Sequence, residues 1–366
     1  MSGVLLRWKS EGTELEKYLT QVGRRRFLAG LGATTALVAS SSILQASEPG
    51  LEMRARRPSR TPGLKMTVIG VGGAGARLAS RLPIHETATL VTVDRPRRPL
   101  RQRYADLLAG RPDESRDPNT SRAFAKAQGA TEVLAPALKA HLRDADVVFL
   151  VGGVGGTTTA ASLPVLARAA RATGAITVAA AISPYAFEGE DRKLSAETCI
   201  SQLKAVADTT VVIPNQDLFP ARSGTSAFAE GLDLAGNIVA AGIETVVSPL
   251  TVPGMISLDF ADIETILRNR GLGVMATATA RGDRRAWVAA NDVVTDPFVA
   301  NVRMRSAQHM LLNISGGGDL TLFEVDEAAN RIYSELGDHA HLIFSSSYDP
   351  AMDGTIRVSM IATGLV

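Results

Sequence analysis

The stretch from Asp146 to Pro164 reads DVVFLVGGVGGTTTAASLP and decides the fold. Its beginning, Val147 to Val151, is an unbroken apolar run of the kind that forms a buried parallel strand. Glycines and threonines follow, and an Ala-rich segment typical of a helix comes after Pro164. This order is typical of a phosphate-binding loop, because glycine lets backbone N–H groups approach an anion and a helix N-terminus favours negative charge. An ordinary strand-to-helix turn is the alternative.

A second glycine loop lies earlier in the chain. The sequence predicts a short strand at Met66–Ile69, followed directly by the loop Gly70–Gly75, which reads GVGGAG. A further strand, Leu90–Val93, ends in Asp94. The pattern G-x-G-x-x-G between a strand and a helix, with an acid after the next strand, is typical of a dinucleotide-binding Rossmann unit. By themselves these residues favour an NAD(P)-dependent oxidoreductase.

Length and composition set wider bounds. A chain of 366 residues suggests two domains, and its 45% hydrophobic content can form a sizeable core. The net charge of +2 gives no reason to expect a nucleic-acid partner. The single cysteine, Cys199, excludes a disulfide framework and a thiolate metal site. We predict no metal site built from protein ligands alone.

The N-terminal segment, residues 1–63, has features of a targeting sequence. Arg24–Leu28 reads RRRFL and resembles a bacterial twin-arginine export signal, and no charged residue occurs from Phe27 to Ser47. Glu48–Gly63 is expected to be a flexible basic linker, which would suit contact with an anionic membrane surface. A cleaved signal, an uncleaved anchor and an extension from a wrongly assigned start codon remain open, and so does export.

Several motifs together resemble FtsZ, the bacterial homologue of tubulin. Ile69–Gly75 is similar to the first nucleotide loop of that family, and Gly153–Ala161 is similar to its glycine- and threonine-rich signature loop. Further matches follow in the same order at Ala175–Arg192, Ile213–Asn215, Met255–Leu267, Asn313–Leu322 and Ser346–Gly364. The resemblance covers residues 64 to 366, and a dehydrogenase is not expected to share the later motifs.

The resemblance implies an α/β fold: a doubly wound parallel-sheet GTPase domain (64–222), a long central helix (223–248) and a smaller α+β domain (249–366). The residues support it, because strands alternate with helical segments as far as Asn215. Apolar residues then recur every three to four positions, and Ser248-Pro249 is expected to end that helix. The chain ends at Val366, so we expect no C-terminal peptide of the kind that recruits the family's division partners.

The resemblance also implies a site for GTP or GDP, with Mg²⁺ accompanying the nucleotide. The residues at the matching positions are Gly72, Gly73, Gly75, Arg77, Gly155, Gly156, Thr157, Thr158, Glu188, Arg192 and Phe228. Glu188 and Arg192 match residues near the sugar, with a surface ion pair as the alternative. Phe228 matches an aromatic residue that packs against the base, with a core role as the alternative.

Two acids are expected to act on a neighbouring subunit. Asp259 and Asp262 match the acids that, in the FtsZ family, complete the active site of the next subunit. The resemblance therefore implies a homo-oligomer, a head-to-tail filament, and a cytoplasmic role in cell division. The alternative for Asp259 is an N-cap of the helix that begins at Phe260.

Some positions depart from the family pattern. Thr157, Thr159 and Ala161 stand where the family has glycine, and an added Cβ is expected to hinder close approach of the backbone to phosphate. Leu232 replaces the residue that reads the guanine edge, and Arg77 replaces an asparagine. Hydrolysis is therefore expected to be slow or absent. A scaffold that needs no nucleotide, or a regulator of FtsZ polymers, is the second interpretation, and an exported oxidoreductase the third.

Overall fold

The computed structural model describes residues 41–45, 52–56, 64–81, 88–94, 121–218, 228–252 and 254–366. The strands are β1 (Ser41–Gln45), β2 (Glu52–Arg56), β3 (Met66–Val71), β4 (Ala88–Asp94), β5 (Val147–Gly153), β6 (Ile176–Ser183), β7 (Thr209–Pro214), β8 (Gly271–Arg281), β9 (His309–Gly316), β10 (His341–Tyr348) and β11 (Thr355–Leu365). The α-helices are α1 (Gly72–Arg81), α2 (Ser121–His141), α3 (Thr157–Arg171), α4 (Glu190–Val206), α5 (Phe228–Thr251), α6 (Phe260–Leu267), α7 (Arg285–Thr295), α8 (Pro297–Ala300) and α9 (Leu322–Tyr333).

These strands form a sheet with the order β1-β2-β4-β3-β5-β6-β7-β8-β11-β9-β10. The strands from β4 through β3, β5, β6 and β7 to β8 are parallel. We call the side where they end the carboxyl edge and the side where they begin the amino edge. The chain passes from β3 to β4 on one side and later to β5 on the other. The order therefore reverses between β3 and β5, which is where open α/β sheets bind ligands at the carboxyl edge.

The predicted buried strand β5 is buried on both of its faces. Val148 and Leu150 belong to a core cluster with residues of α2, α3 and α4. Phe149 and Val151 alternate with them, point to the opposite face and are also fully buried. On that face α1 packs against α5, since a Cβ on Gly236 would lie 2.7 Å from Leu78. The doubly wound α/β architecture is thus confirmed. The domain boundaries stay a prediction, because the sheet continues without a break from β7 to β8.

The central helix continues beyond its predicted C-terminal end, and its predicted start at residue 223 lies outside the described part of the chain. It spans Phe228–Thr251, whereas residues 219–227 lie outside the described part of the chain. Pro249 lies inside the last turn and does not end the helix, so that prediction was wrong. Proline in the last turn removes one backbone donor, and the helical bond from Val252 N to Ser248 O (2.8 Å) still forms beyond it.

Part of α5 is apolar enough to be compared with a membrane span. Among the described residues, Leu234–Thr251 is long and apolar enough by length and composition, and 56% of it is buried. It packs against β8, β9 and β11. This burial is what the core helix of an α/β protein shows.

The N-terminal segment contains a strand, β2, where a flexible linker was expected. β2 pairs antiparallel with β4, and β1 pairs antiparallel with β2. The expectation of an unstructured linker is therefore wrong for Glu52–Arg56. The residues alternate between charged and apolar, with Met53 and Ala55 between charged neighbours, which is the period of a strand. Arg24–Leu28 lies outside the described residues.

A buried arginine connects three segments at the far end of the sheet. Arg285, in the first turn of α7, is 7% exposed. Its Nη1 donates to Asp319 Oδ2 (2.6 Å) and its Nε to Glu324 Oε1 (2.6 Å). Asp319 Oδ2 also accepts from the N–H of Gly354 (3.0 Å). The hydrogen bonds from Arg285 hold the pKa of both carboxyl groups below their ordinary values.

We expect Arg285→Met to lower the denaturant midpoint at neutral pH. A carboxyl group whose folded-state pKa is lowered stabilises the fold above its ordinary pKa and loses that contribution as pH falls through the lowered value. The ordinary values are 3.8 for Asp319 and 4.5 for Glu324. The difference in denaturant midpoint between the natural chain and the variant should therefore become smaller as the pH falls below these values. Urea titrations at neutral and acidic pH measure it, and a difference independent of pH would contradict the assignment.

Candidate nucleotide site

Both glycine loops lie at the carboxyl edge, side by side. The first glycine loop, Gly70–Gly75, joins β3 to α1, and the signature loop, Gly153–Ala161, joins β5 to α3. A Cβ on Gly75 would overlap the carbonyl oxygen of Val151, so only glycine lets α1 start against β5. Gly72 begins α1 with a φ of +70°, which L side chains rarely adopt, and Gly73 is exposed in the same turn.

Thr159 connects the two loops. Its Oγ1 donates to the carbonyl oxygen of Val71 (3.3 Å), and its side chain is 5% exposed. A Cβ on Gly152 would lie 2.5 Å from its Cγ2, and a Cβ on Gly72 would overlap its Oγ1. The sequence predicted that Thr159 would hinder the approach of phosphate to the backbone. In the structure its side chain is buried among the protein's own atoms.

The other departures in the signature loop also face inward. Thr157 is 7% exposed and Ala161 is 2% exposed. Thr158, by contrast, is half-buried, and so is Gly156 next to it. The side chains of Thr157, Thr159 and Ala161, at positions where the family has glycine, therefore do not lie on the solvent-facing side of the loop.

The start of α3 offers free space beside backbone donors. Gly156 is the N-cap, and no side chain caps the helix. Its φ of −99° is open to any residue, and a Cβ there would meet no atom within 4 Å. The fold itself therefore does not require glycine at this position. The first-turn N–H groups of a helix have no intrahelical partner, so an anion fits this space.

A cation lies at the start of α1. The exposed Arg77 donates from Nε to the carbonyl oxygen of Gly73 (3.2 Å), so its side chain folds back along the first turn of α1. A guanidinium group next to a helix N-terminus is unfavourable for the helix dipole but favourable for a bound anion.

The predicted pair Glu188–Arg192 is brought to the signature loop. A Cβ on Gly155 would lie 3.4 Å from Arg192 Cβ. Arg192 Nη1 bonds Glu188 Oε2 (2.5 Å), and Glu188 Oε1 accepts from the N–H of Tyr185 (2.9 Å). The surface ion pair of the alternative interpretation is present, and a role of these two residues at the sugar stays a prediction. The Arg192 side chain is 51% exposed, so the pair adds little stability.

Sequence reasoning missed an aromatic pair in the same turn. The ring of the buried Tyr185 stacks on Phe187, with centroids 5.1 Å apart and planes 9° apart. Phe187 is 68% exposed. Burial, followed by the charge of Glu188, raises the pKa of Tyr185. Two aromatic residues spaced two apart, shortly after the apolar strand Ile176–Ser183, were the sequence signal that could have revealed the pair.

Asp259 and Asp262 form a capping box at the start of α6. The N–H of Asp262 donates to Asp259 Oδ1 (3.1 Å), and the N–H of Asp259 donates to Asp262 Oδ2 (3.0 Å). The predicted N-cap role of Asp259 is therefore confirmed. Asp259 is exposed, so its carboxylate also faces solvent.

These acids lie far from the glycine loops of their own chain. The loop before α6 bonds the outer strand β10, with Ile256 N donating to Ser346 Oγ (3.1 Å). The last turn of α6 lies at the amino edge, where Thr209 Oγ1 donates to Leu267 O (2.6 Å). With strands spaced ~4.8 Å apart and rising ~3.3 Å per residue, the acids are on the order of 20 Å or more from both loops.

Other predicted positions lie outside the described side chains. Phe228 begins α5 and Leu232 lies in the same helix, but neither side chain is described. The side chain of Asp94, at the end of β4, likewise lies outside the described part of the structure. The roles of Phe228 and Leu232 at the base stay predictions. Within the described part of the chain, no group of three or more His, Cys, Asp and Glu side chains could hold a metal ion.

Comparison with protein families gives matches over both halves of the chain. The family model "Tubulin/FtsZ family, GTPase domain" matches residues 114–222, and "FtsZ family, C-terminal domain" matches residues 271–366. The cell division protein FtsZ of Wolbachia pipientis is 40% identical over 250 residues, which are 65% of this chain and 79% of the relative. That of Magnetospirillum gryphiswaldense is 38% identical over 310 residues, which are 82% of this chain. The chain spans only 54% of that relative's length.

A solved structure agrees with these matches. The FtsZ dimer of M. jannaschii, solved empty, superposes with a TM-score of 0.71 at 28% identity and covers 84% of this chain and 89% of that one. The matches extend through the second half of the chain, which the dehydrogenase interpretation did not cover. The chain belongs to the FtsZ family of tubulin-related proteins.

Proposed function

We propose that this chain binds GTP or GDP between its glycine loops and assembles head to tail. The observation that carries the proposal is the meeting of two helix N-termini, those of α1 and α3, at the point where the strand order reverses. A Cβ on Gly156 would meet no atom within 4 Å, so there is free space at the start of α3. Helix N-termini and open backbone donors favour the phosphates of a nucleotide over any uncharged ligand.

The residues present fit the phosphate end of a nucleotide. We assign the phosphates to the N–H groups of Thr157 and Thr158 in α3, to those of Gly72 and Gly73 in α1, and to the charge of Arg77. Glu188 and Arg192 would lie at the sugar, and Phe228 at the base. Mg²⁺ bound with the nucleotide would neutralise phosphate charge.

Hydrolysis is proposed to need a second copy of the chain. The glycine loops hold no catalytic carboxylate among the described side chains, and Asp259 and Asp262 lie at a distance. In a head-to-tail stack the exposed Asp259 and the half-buried Asp262 of one copy would meet the carboxyl edge of the next. A carboxylate there would orient the attacking water or accept its proton. Such an assembly fits a cytoplasmic role in cell division.

Calorimetric titration of GTP and GDP into the full chain, with Mg²⁺ present, tests the proposal. We expect micromolar dissociation constants and a rate of phosphate release per chain that rises with chain concentration, because each active site needs two copies. Binding without release would leave a nucleotide-dependent switch. Absence of binding would overturn the proposal and favour a scaffold that needs no nucleotide.

Selectivity for guanine is expected to be weak. Leu232 offers no hydrogen-bonding atom, whereas the family has an amide or carboxylate at the matching position that reads the guanine edge. Removing such a group removes most of the discrimination against other bases. We expect the dissociation constants for GTP and ATP to differ by about tenfold or less. The same titration with ATP gives the ratio of the ATP dissociation constant to the GTP dissociation constant, and Leu232→Asn should raise this ratio. A large ratio in the natural chain would contradict this assignment.

We further propose a conventional FtsZ as a second partner and a membrane contact through residues 23–63. The basic character of Glu48–Gly63 suits an anionic surface. Co-sedimentation with vesicles rich in anionic lipid, and separately with polymers of a conventional FtsZ, tests each contact. Unchanged vesicle binding after replacement of Arg54, Arg56, Arg57 and Arg60 by glutamine, which leaves β1 and β2 in the chain, would rule out the membrane contact. Export by the twin-arginine route would separate the chain from GTP, so recovery of the chain outside the cytoplasm would count against the whole proposal.

A further inference from the structure

A buried carboxylate at the amino edge connects the parallel sheet to the helix that carries the acids. The Asp208 side chain is 1% exposed. Its Oδ2 accepts from the N–H of Thr177 (2.9 Å), at the start of β6, and its Oδ1 from the N–H of Asn269 (3.3 Å), between α6 and β8. Its carbonyl oxygen accepts from the N–H groups of Arg270 (2.7 Å) and Gly271 (3.0 Å). The end of α6 is thus bonded to Asp208 through consecutive residues.

An arginine from α3 completes the cluster. Arg171, the last residue of α3, places Nε 3.5 Å from Asp208 Oδ1 and donates from Nη1 to Val206 O (3.4 Å). Its Nη2 donates to the side-chain oxygen of Asn269. The first turn of the same helix belongs to the signature loop. One helix, α3, therefore extends from the proposed phosphate site to the residues that hold the end of α6.

The backbone at the end of α6 also depends on these contacts. Asn269 has a φ of 57°, in the left-handed region that asparagine tolerates better than most residues. Arg268, just before it, donates from Nη2 to Gly174 O (3.1 Å), at the turn after α3. The direction in which the chain leaves α6 is thus fixed by hydrogen bonds to α3 and to Asp208.

We propose that Asp208, together with Arg171, is a positioning residue for hydrolysis in the next copy. It fixes the end of α6, and through this short helix it sets where Asp259 and Asp262 stand. The inference rests on the proposed function, in which those acids complete a neighbour's site. Asp208 itself touches no nucleotide, because it lies at the amino edge.

Asp208→Asn tests the inference with little change of shape. The amide keeps one acceptor but turns a donor group toward N–H donors or Arg171, so the bonds to Asn269 should loosen. Asp146→Asn is the matched control. Asp146 also lies at the amino edge and accepts a backbone N–H, from Lys65 (2.7 Å), but that bond joins it to the start of β3 and not to α6.

Hydrogen exchange of the full chain gives the first measurement. We expect the amides of residues 259–271 to exchange about tenfold or more faster in Asp208→Asn and at the natural rate in Asp146→Asn. GTP affinity should change by about twofold or less, while phosphate release should fall by about tenfold or more, because the loss concerns the acids and not the phosphate site. Natural exchange rates across 259–271 in Asp208→Asn would overturn the inference.

A mutant cycle gives the second measurement. If Asp208 acts through both acids, adding Asp208→Asn to a chain that carries Asp259→Asn and Asp262→Asn should cause no further fall in phosphate release. An additive loss would overturn the inference. Failure of the proposed function looks different: the natural chain would then bind no GTP, while the exchange rates would still decide whether Asp208 holds α6.

Discussion

A Gly156→Asp chain is expected to bind GTP about 100-fold or more weakly than the natural chain, and to unfold at the same temperature or higher. The new carboxylate would stand at the N-cap of α3, where aspartate is favoured and where a Cβ meets no atom within 4 Å. Its charge would occupy the space assigned to phosphate, and like charges about 4 Å apart at a protein surface repel by up to ~4 kcal/mol. Titration calorimetry and thermal unfolding measure both effects.

Gly156→Ser provides the matched control for that experiment. Serine also caps a helix but carries no charge, so it should stabilise α3 in a similar way while lowering GTP affinity far less. Equal affinities of the natural and aspartate chains would show that phosphate does not bind at this helix. Equal losses in the serine and aspartate chains would assign the effect to bulk and not to charge.

An Asp259→Asn chain is expected to release phosphate about 100-fold or more slowly while keeping its GTP affinity and stability. Asparagine caps a helix as well as aspartate does, so α6 should remain formed. The amide cannot accept a proton, and hydrolysis should fall because the carboxylate is lost. Binding should not change, since the acid lies far from its own chain's loops.

The comparison for that variant is Asp259→Ala, which removes the cap and the carboxylate together. It should reduce release to a similar extent and also lower the stability of α6, by about 1 kcal/mol. Natural rates of release in Asp259→Asn would show that the side chain serves as a cap and nothing more.

Local patterns predicted the parts of the site that depend on neighbouring residues. The apolar run Val147–Val151, with the glycines after it, was enough to place a strand, a turn and the start of α3. The N-cap role offered for Asp259, as the alternative to a catalytic one, placed the start of α6 at Phe260. Such features are set by backbone chemistry within one turn, so they can be seen in sequence alone.

Contacts between distant segments could not be predicted. The inward direction of Thr159 depends on its bond to Val71, which is 88 residues away in the sequence. The bond between Arg171 and Asn269 spans 98 residues. Arg171 at the end of α3 and Asp208 before β7 are single charged residues that give no periodic signal in the sequence. The parallel pairing of β6, β7 and β8 brings Asp208 close to the residues before β8.

The remaining errors arose where tertiary pairing outweighed a local rule. A basic, proline-containing segment favoured a linker, yet Glu52–Arg56 pairs with β4. Pro249 was expected to end α5, yet the helix continues to Thr251. Packing against a sheet can compensate for one missing backbone donor or a modest propensity.

The central claim is that one copy supplies the phosphate site and the next copy supplies the acids. Phosphate release from an equimolar mixture of Gly156→Asp and Asp259→Asn chains tests it most directly. Each variant alone should be nearly inactive. In the mixture, the intact loops of the Asp259→Asn chain can meet the intact α6 of the Gly156→Asp chain, and random head-to-tail pairing should restore about one quarter of the natural rate. A mixture no more active than the average of its two components would show that each chain completes its own site, and it would contradict the account.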